Sequence, residues 1–236
     1  MFKSVRAKIT ITWLLLMSPF IALATVLYLT SIGVFGQLPT FEQLENPKNS
    51  LATEIISEDG KVLGKYFYEN RSNIKYEDLP QNLINALIAT EDVRFRSHTG
   101  IDVRALLRAI KGQLLGQDAG GASTITQQLA RNVFVEEVGN QRSSATLEAV
   151  IATYSRKIRE QITAVYIERL YTKQEILTMY LNKVYFGHGA HGLKAAARYY
   201  FDKDVTQLNV SESALLAGLL KAPNGYSPIR RPERAL

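Results

Sequence analysis

Three groups of side chains in this 236-residue chain could do chemistry together. Glu91 ends an apolar stretch and is followed by Asp92, Phe95, His98 and Gly100, so a carboxylate stands among apolar and aromatic residues, a setting for a general base. From Ala122 to Asn132 the chain reads A-S-T-I-T-Q-Q-L-A-R-N. At about 100° per residue, Ile125, Leu129 and Val133 form an apolar stripe, and Thr124, Gln127, Gln128 and Arg131 gather opposite. A solvated face usually carries Glu and Lys; amides, hydroxyls and one Arg suit a sugar or a phosphate diester. Gly120-Gly121 just before is expected to expose backbone N–H groups at a helix N-terminus, an anion site. The third group is Arg156, Lys157, Arg159 and Glu160. Arg156 and Glu160 are spaced i, i+4, which allows an ordinary helical ion pair. The cations could equally clamp a pyrophosphate, with Glu160 held ionised by them.

Two carboxylates, an amide face and a cluster of cations are what glycosyl transfer from a sugar diphosphate requires. One carboxylate takes the proton of an attacking hydroxyl, and cations neutralise the charge growing on the departing pyrophosphate. Two carboxylates would also serve a glycosidase, so hydrolysis stays open.

These groups must be positioned by helices. Pro80 suits a helix start, with Leu83, Leu87 and Ile88 on one face. Asp102 can cap a helix carrying Leu106, Leu107 and Ile110. Helices are expected over Ser123–Phe134 and from about Ala145 to Leu170, and Thr172 with Glu175 forms a capping box for the next. Gly192–Phe201 and Ser211–Leu220 supply two more. No convincing strand follows Pro80. Before it, β-branched and aromatic residues flank Asp59-Gly60 between Ala52 and Tyr68, a hairpin signal. His188 and His191 sit in a Gly-rich loop as structural or cleft-lining residues, and Tyr199-Tyr200-Phe201 reads as core.

At the front, Ile9 to Phe41 contains no Asp, Glu, Lys or Arg. The apolar run from Ile9 to Thr30 would cover ~33 Å as a helix, enough for a ~30 Å hydrocarbon core. Lys3, Arg6 and Lys8 precede it and no basic residue follows until Lys48, so the N-terminus belongs in the cytoplasm and the rest outside. Ala22-Leu23-Ala24 matches a signal-peptide cleavage pattern but lies inside the apolar run, which favours an uncleaved anchor. The chain divides into a cytoplasmic tail (1–8), a transmembrane anchor (9–30), a linker with a hairpin (31–75) and a helical domain (76–236).

Composition narrows the classes. Apolar residues make up 46% and charged ones 21%, values of a chain that folds around a core. With no cysteine, disulfides, thiolate nucleophiles and Cys-based metal sites are excluded. The three histidines do not have the spacing of a zinc helix. The formal net charge of +6 points to an anionic partner without choosing one.

The segment Glu91 to Asp102, E-D-V-R-F-R-S-H-T-G-I-D, resembles the first signature of the peptidoglycan glycosyltransferases, E-D-x-x-F-x-x-H-x-G. Gly121 to Asn132, G-A-S-T-I-T-Q-Q-L-A-R-N, is similar to the second, G-x-S-T-I-T-Q-Q, and Arg156 to Glu160 to the third, R-K-x-x-E. Tyr180, Leu181, Asn182, Tyr185, Phe186 and Gly187 resemble the fourth, and Glu212, Ala214, Leu215, Leu216 and Ala217 the fifth. The resemblance implies a mainly α fold, with a lysozyme-like helical lobe, a small membrane-proximal jaw lobe, a short β-hairpin and one N-terminal transmembrane helix. It implies polymerisation of lipid II onto a glycan chain held on undecaprenyl pyrophosphate, with inversion at the donor, on the outer face of the bacterial cytoplasmic membrane; nucleic acid is not a partner.

By motif position, Glu91 would deprotonate the acceptor's 4-hydroxyl and Glu160 would assist at the donor or hold the basic cluster. Ser123, Thr124, Gln127, Gln128, Arg131 and Asn132 would line the donor cleft, with Arg156, Lys157 and Arg159 binding substrate. Asp92, Phe95, His98 and Asn182 follow by motif, and Arg142 is the one candidate for a further phosphate-binding base. No metal site and no cofactor are required, although a divalent cation, Mg or Mn, could serve the pyrophosphate, with Asp92 and Asp102 as the carboxylates at hand. The family often has Lys where Arg131 stands, which keeps the charge but not the geometry. The front of the chain looks like that of a bifunctional class A penicillin-binding protein, so a transpeptidase domain is expected beyond residue 236. Ser72-Asn73-Ile74-Lys75 matches S-x-x-K but lacks that domain's companion motifs. Competing readings are a membrane-anchored muramidase and a non-catalytic module that holds lipid II.

Overall fold

The computed structural model describes residues 2–45, 53–56, 62–66, 74–117, 120–135 and 147–235. The chain forms two compact units, one of Met1–Leu38 with Gln141–Arg159, the other of Pro39–Asn140 with Glu160–Leu236. The division runs through one helix, between Arg159 and Glu160.

The first unit holds α1 (Phe2–Ser31). Its segment Val5–Ser31 is, among the described residues, the one helix long and apolar enough to cross a membrane. Leu14, Leu15, Phe20 and Leu23 all stand exposed along it. Its serine and threonine hydroxyls within the apolar run bond back to the helix's own carbonyls, as hydrocarbon would demand. The hydroxyls of Thr10, Thr12 and Thr25 donate to the carbonyls of Arg6, Lys8 and Ile21. Pro19 lies inside the helix and has no N–H for the Leu15 carbonyl, four residues back. The Ser18 hydroxyl donates to that carbonyl instead, at 2.9 Å.

The second unit begins with α2 (Phe41–Glu45), pinned where the Tyr171 hydroxyl donates to the Leu44 carbonyl at 2.6 Å. Strands β1 (Thr53–Ile56) and β2 (Val62–Tyr66) pair antiparallel, Thr53 opposite Tyr66 and Ile56 opposite Val62. Asp59 and Gly60, expected to turn this hairpin, lie outside the described residues. Helix α3 (Gln81–Glu91) follows Pro80 and buries Leu83, Ile84 and Leu87. Helix α4 (Val103–Leu114) is capped by Asp102, whose carboxylate accepts from the Ala105 N–H at 3.0 Å. Leu107 and Leu114 on it are 61% and 82% exposed, so they are not core.

The helix expected over Ser123–Phe134 is shorter. Thr124 caps α5 (Ile125–Ala130) by accepting from the Gln127 N–H at 3.1 Å, and a π-helical turn, Arg131–Val135, continues it. The long helix α6 is Leu147–Leu170, and residues 136–146 lie outside the described residues. Helix α7 (Lys173–Lys183) opens on the Thr172–Glu175 capping box, whose N–H and hydroxyl donors hold the Glu175 carboxyl below the usual range. Then come α8 (Leu193–Phe201), α9 (Val210–Lys221), with an Asn209–Glu212 capping box, and α10 (Pro232–Ala235). After Pro80 the described residues contain a single isolated bridge, Tyr185 with His191. Tyr199, read as core, is 49% exposed and stacks on His188.

Helices α3 and α9 pack on each other, as do α5 and α7. Leu83, Leu87, Phe95, Ile125, Leu129, Ile176, Leu181 and Leu216 fill the core between them. Gly100 is one position that demands glycine: its φ is +93°, and a Cβ there would lie 2.8 Å from the backbone of Ala164.

Candidate active site

Glu91 is the last residue of α3, half-buried, at the rim of a cleft of about 600 Å³. Ser123, Thr124 and Gln128 line the same cleft, as do Arg94, Arg108 and Lys221. The Gln128 amide donates to Glu91 Oε2 at 2.7 Å and accepts from the Tyr180 hydroxyl at 2.9 Å. Tyr180 is fully buried. Burial, and secondarily the charge of Glu91, push its hydroxyl well above the ordinary tyrosine range, so it remains a neutral donor. Arg131 acts on the same hydroxyl in the opposite sense, which brings the π-helical turn into this neighbourhood.

Beneath the rim lies a buried polar floor. Both oxygens of Asp92 are within 3.0 Å of His98 Nε2, and Oδ2 also accepts from the Ile125 N–H at 3.0 Å. The Gly100 N–H donates to His98 Nδ1 at 3.2 Å, which leaves Nε2 as the ring's donor toward Asp92. The Gly100 carbonyl accepts from the Thr124 hydroxyl at 2.7 Å and the Gln127 amide at 3.3 Å. The first turn of α5 is thus bound to the segment that follows Glu91. The helix N-terminus expected at Gly120-Gly121 is instead at Ile125, and Asp92 already satisfies it.

Arg94 Nε donates to Asp102 Oδ2 at 2.8 Å. Burial alone would raise the Asp102 carboxyl, but the Ala105 N–H and Arg94 outweigh it and hold the group below its ordinary value. Behind the floor, Lys173 Nζ donates to the His98 carbonyl at 2.8 Å and to Glu168 Oε1 at 2.7 Å, and Thr126 donates to the same oxygen at 2.6 Å.

The structure brings together Glu91, Asp92, Ser123, Thr124 and Gln128. Gln127 is buried and spends its amide on Gly100. Phe95 is core, with the Lys173 ammonium 4.4 Å from its ring centre. Asn182 pairs its amide with the backbone of Ile74, at 2.9 and 3.0 Å. Arg131 and Asn132 are half-buried on the π-helical turn. Glu160 is buried in the second unit, whereas Arg156, Lys157 and Arg159 belong to the first. Arg142 lies outside the described residues.

The sequence reading missed Arg108 and Lys221, and it placed Tyr180 in the fourth motif without a role at Glu91. Arg94 stood inside the first motif and could have been found there. Arg108 and Lys221 are ordinary helix cations in the sequence, and only the fold brings them to the cleft that Glu91 lines.

Residues 59–236 match the model of the transglycosylase family. The chain belongs to that family. It is 42% identical over 200 residues to penicillin-binding protein 1A of Pseudomonas aeruginosa, covering 84% of this chain and 23% of that protein. To penicillin-binding protein 1F of Bacillus subtilis it is 37% identical over 238 residues, covering 99% of this chain and 30% of the relative. The chain thus spans less than a third of the length of these relatives. The crystal structure of penicillin-binding protein 1A from Haemophilus influenzae aligns over 80% of this chain and 17% of its own, with 25% identity and a TM-score of 0.37, too low to equate the two folds. As a transglycosylase the chain is an enzyme, and Glu91, Asp92, the α5 segment and Glu160 all fall within the matched span.

Proposed function

We propose that this transglycosylase extends peptidoglycan by polymerising lipid II, releasing undecaprenyl pyrophosphate. The observation that carries this reading is a half-exposed carboxylate, Glu91, held by one described hydrogen bond from the Gln128 amide on a cleft that also presents Arg94, Arg108 and Lys221. A second carboxylate beside it, Asp92, has both oxygens engaged and is not free to act as base. In the proposed step Glu91 takes the proton of the acceptor's 4-hydroxyl as that oxygen attacks the donor's anomeric carbon. The bond to the pyrophosphate breaks with inversion, and cleft cations stabilise the departing charge. Glu160 and the Arg156–Arg159 cluster are carried into the donor side by motif.

The anchor, α1, keeps the enzyme beside a lipid-linked substrate, with the N-terminus in the cytoplasm and the catalytic unit on the outer face. The exposed apolar side of α4 (Val103, Leu107, Ile110, Leu114) suits contact with the bilayer as part of the jaw lobe. The relatives' name, penicillin-binding protein, extends the proposal to a longer protein with a transpeptidase domain. The oxygens of Asp92 and Asp102, the carboxylates at hand for a divalent cation, are engaged by His98, Arg94 and two backbone N–H groups.

The test is lipid II polymerisation by the detergent-solubilised chain, wild type against Glu91→Gln. Polymer and released undecaprenyl pyrophosphate from the wild type alone are expected. Shortened glycan instead of polymer would make it a hydrolase, and equal output from both would make Glu91 a bystander.

A further inference from the structure

We propose that Tyr180 is a positioning residue for the catalytic base: its hydroxyl fixes which way the Gln128 amide faces, and that amide aims Glu91 into the cleft. This rests on the reading of Glu91 as the base.

Donors and acceptors fix the sense of these contacts. An ionised carboxylate can only accept, so the amide of Gln128 must turn its NH₂ group to Glu91 Oε2, at 2.7 Å. Its carbonyl oxygen is then left facing inward, where the Tyr180 hydroxyl lies 2.9 Å away. With the amide so turned, the hydroxyl must donate. It is held in the neutral, donating form by its burial. The three groups therefore form a chain with one sense, from the core on α7 through α5 to the end of α3.

Such a chain does not relay protons, because an amide nitrogen gives up its hydrogen too reluctantly. It sets direction. Glu91 sits at a helix C-terminus, where only the Asp92 N–H bond to the Ile88 carbonyl continues the helical ladder. The carboxylate would otherwise sample several rotamers at the cleft rim. Tying Oε2 to a side chain that is itself tied to the core leaves Oε1 as the oxygen available to an acceptor hydroxyl.

Replacing Tyr180 by Phe keeps the buried ring and removes one oxygen. The Gln128 carbonyl then loses its donor, the amide is no longer held in one orientation, and Glu91 is held less often in the productive pose. Turnover should suffer while substrate binding does not. Steady-state polymerisation of lipid II in detergent, with melting temperature measured alongside, tests this. Tyr180→Phe is expected to lower kcat about tenfold with KM unchanged and with folded protein retained. Gln128→Met should give a similar loss, and Tyr180→Phe added to Gln128→Met should give no further loss, because both act through one link.

Wild-type kcat in Tyr180→Phe overturns the proposal, and so does a double variant whose loss is the product of the two single losses. If Tyr180→Phe does not fold, Gln128→Glu decides, since it keeps an acceptor for the Tyr180 hydroxyl and removes the donor to Glu91: a wild-type kcat there overturns the proposal, and a tenfold loss that Gln128→Met matches sustains the link through this side chain. A wild-type chain that makes no polymer overturns the reading of function and this proposal with it. Polymer from the wild type with both single variants unchanged removes this proposal alone.

Discussion

The floor and the rim of the cleft are built from neighbouring residues to opposite plans. In the floor, Asp92, His98, Thr124, Gln127 and Gly100 satisfy one another, and Asp92 and Thr124 keep almost no surface. On the rim, Glu91, Gln128, Arg108 and Lys221 face open volume, and Glu91 has one described hydrogen bond. A single step along the chain, from 91 to 92, crosses from one plan to the other. A carboxylate's role here is read from what its oxygens already hold, not from its residue type or its motif.

The sharpest way to break this comparison is to neutralise each of those two neighbours. Glu91→Gln should cost about 10²- to 10⁴-fold in kcat for lipid II polymerisation, with a melting temperature close to wild type. Asp92→Ala should instead act through the fold. It strips the acceptor from two buried donors, His98 Nε2–H and the Ile125 N–H, and is expected to lower unfolding stability by about 3 kcal/mol in a denaturant titration. If Asp92→Ala retains wild-type stability, the floor is not the structural element described.

Asp102→Asn gives a smaller effect with a signature in pH. The carboxyl is held low in the folded state, so the stability it adds is present above about pH 4 and drains as the pH falls through its folded-state value. The variant should be about 1 kcal/mol less stable at neutral pH, because the amide can still cap α4 and only the partly exposed pairing with Arg94 is lost. That difference should close on acidification, and thermal melts across the pH range would show it. Smallest of all, Leu114→Ser should change stability in detergent by less than about 0.5 kcal/mol, since its side chain touches little. A vesicle flotation assay with the same variant asks whether that exposed side helps hold the catalytic unit to lipid.

Much of this was legible in the sequence, for reasons that differ by element. The caps at Asp102 and Thr172 are local bonds between a residue and one three positions on, so spacing alone reveals them. The long apolar run of α1 is equally local. Gln127 and Gln128 could not be separated that way. They are adjacent amides on a short helix, yet one turns to a carbonyl 27 positions back and the other to a carboxylate 37 positions back. Tyr180 is further still, 52 positions from its partner. The π-helical turn at Arg131–Val135 was also beyond reach, because a 3.6-residue period continues smoothly through Val133.

Gly100 brings several of these threads to one point. Its N–H, its carbonyl and its missing side chain are all in use: the first steadies the imidazole, the second receives two side chains of the next helix, the third lets α6 come against it. A methyl group there would act as a wedge with no soft neighbour to yield, since what it meets is main chain. How near α6 can come to the segment after Glu91 is therefore set by the thickness of two peptide backbones pressed together.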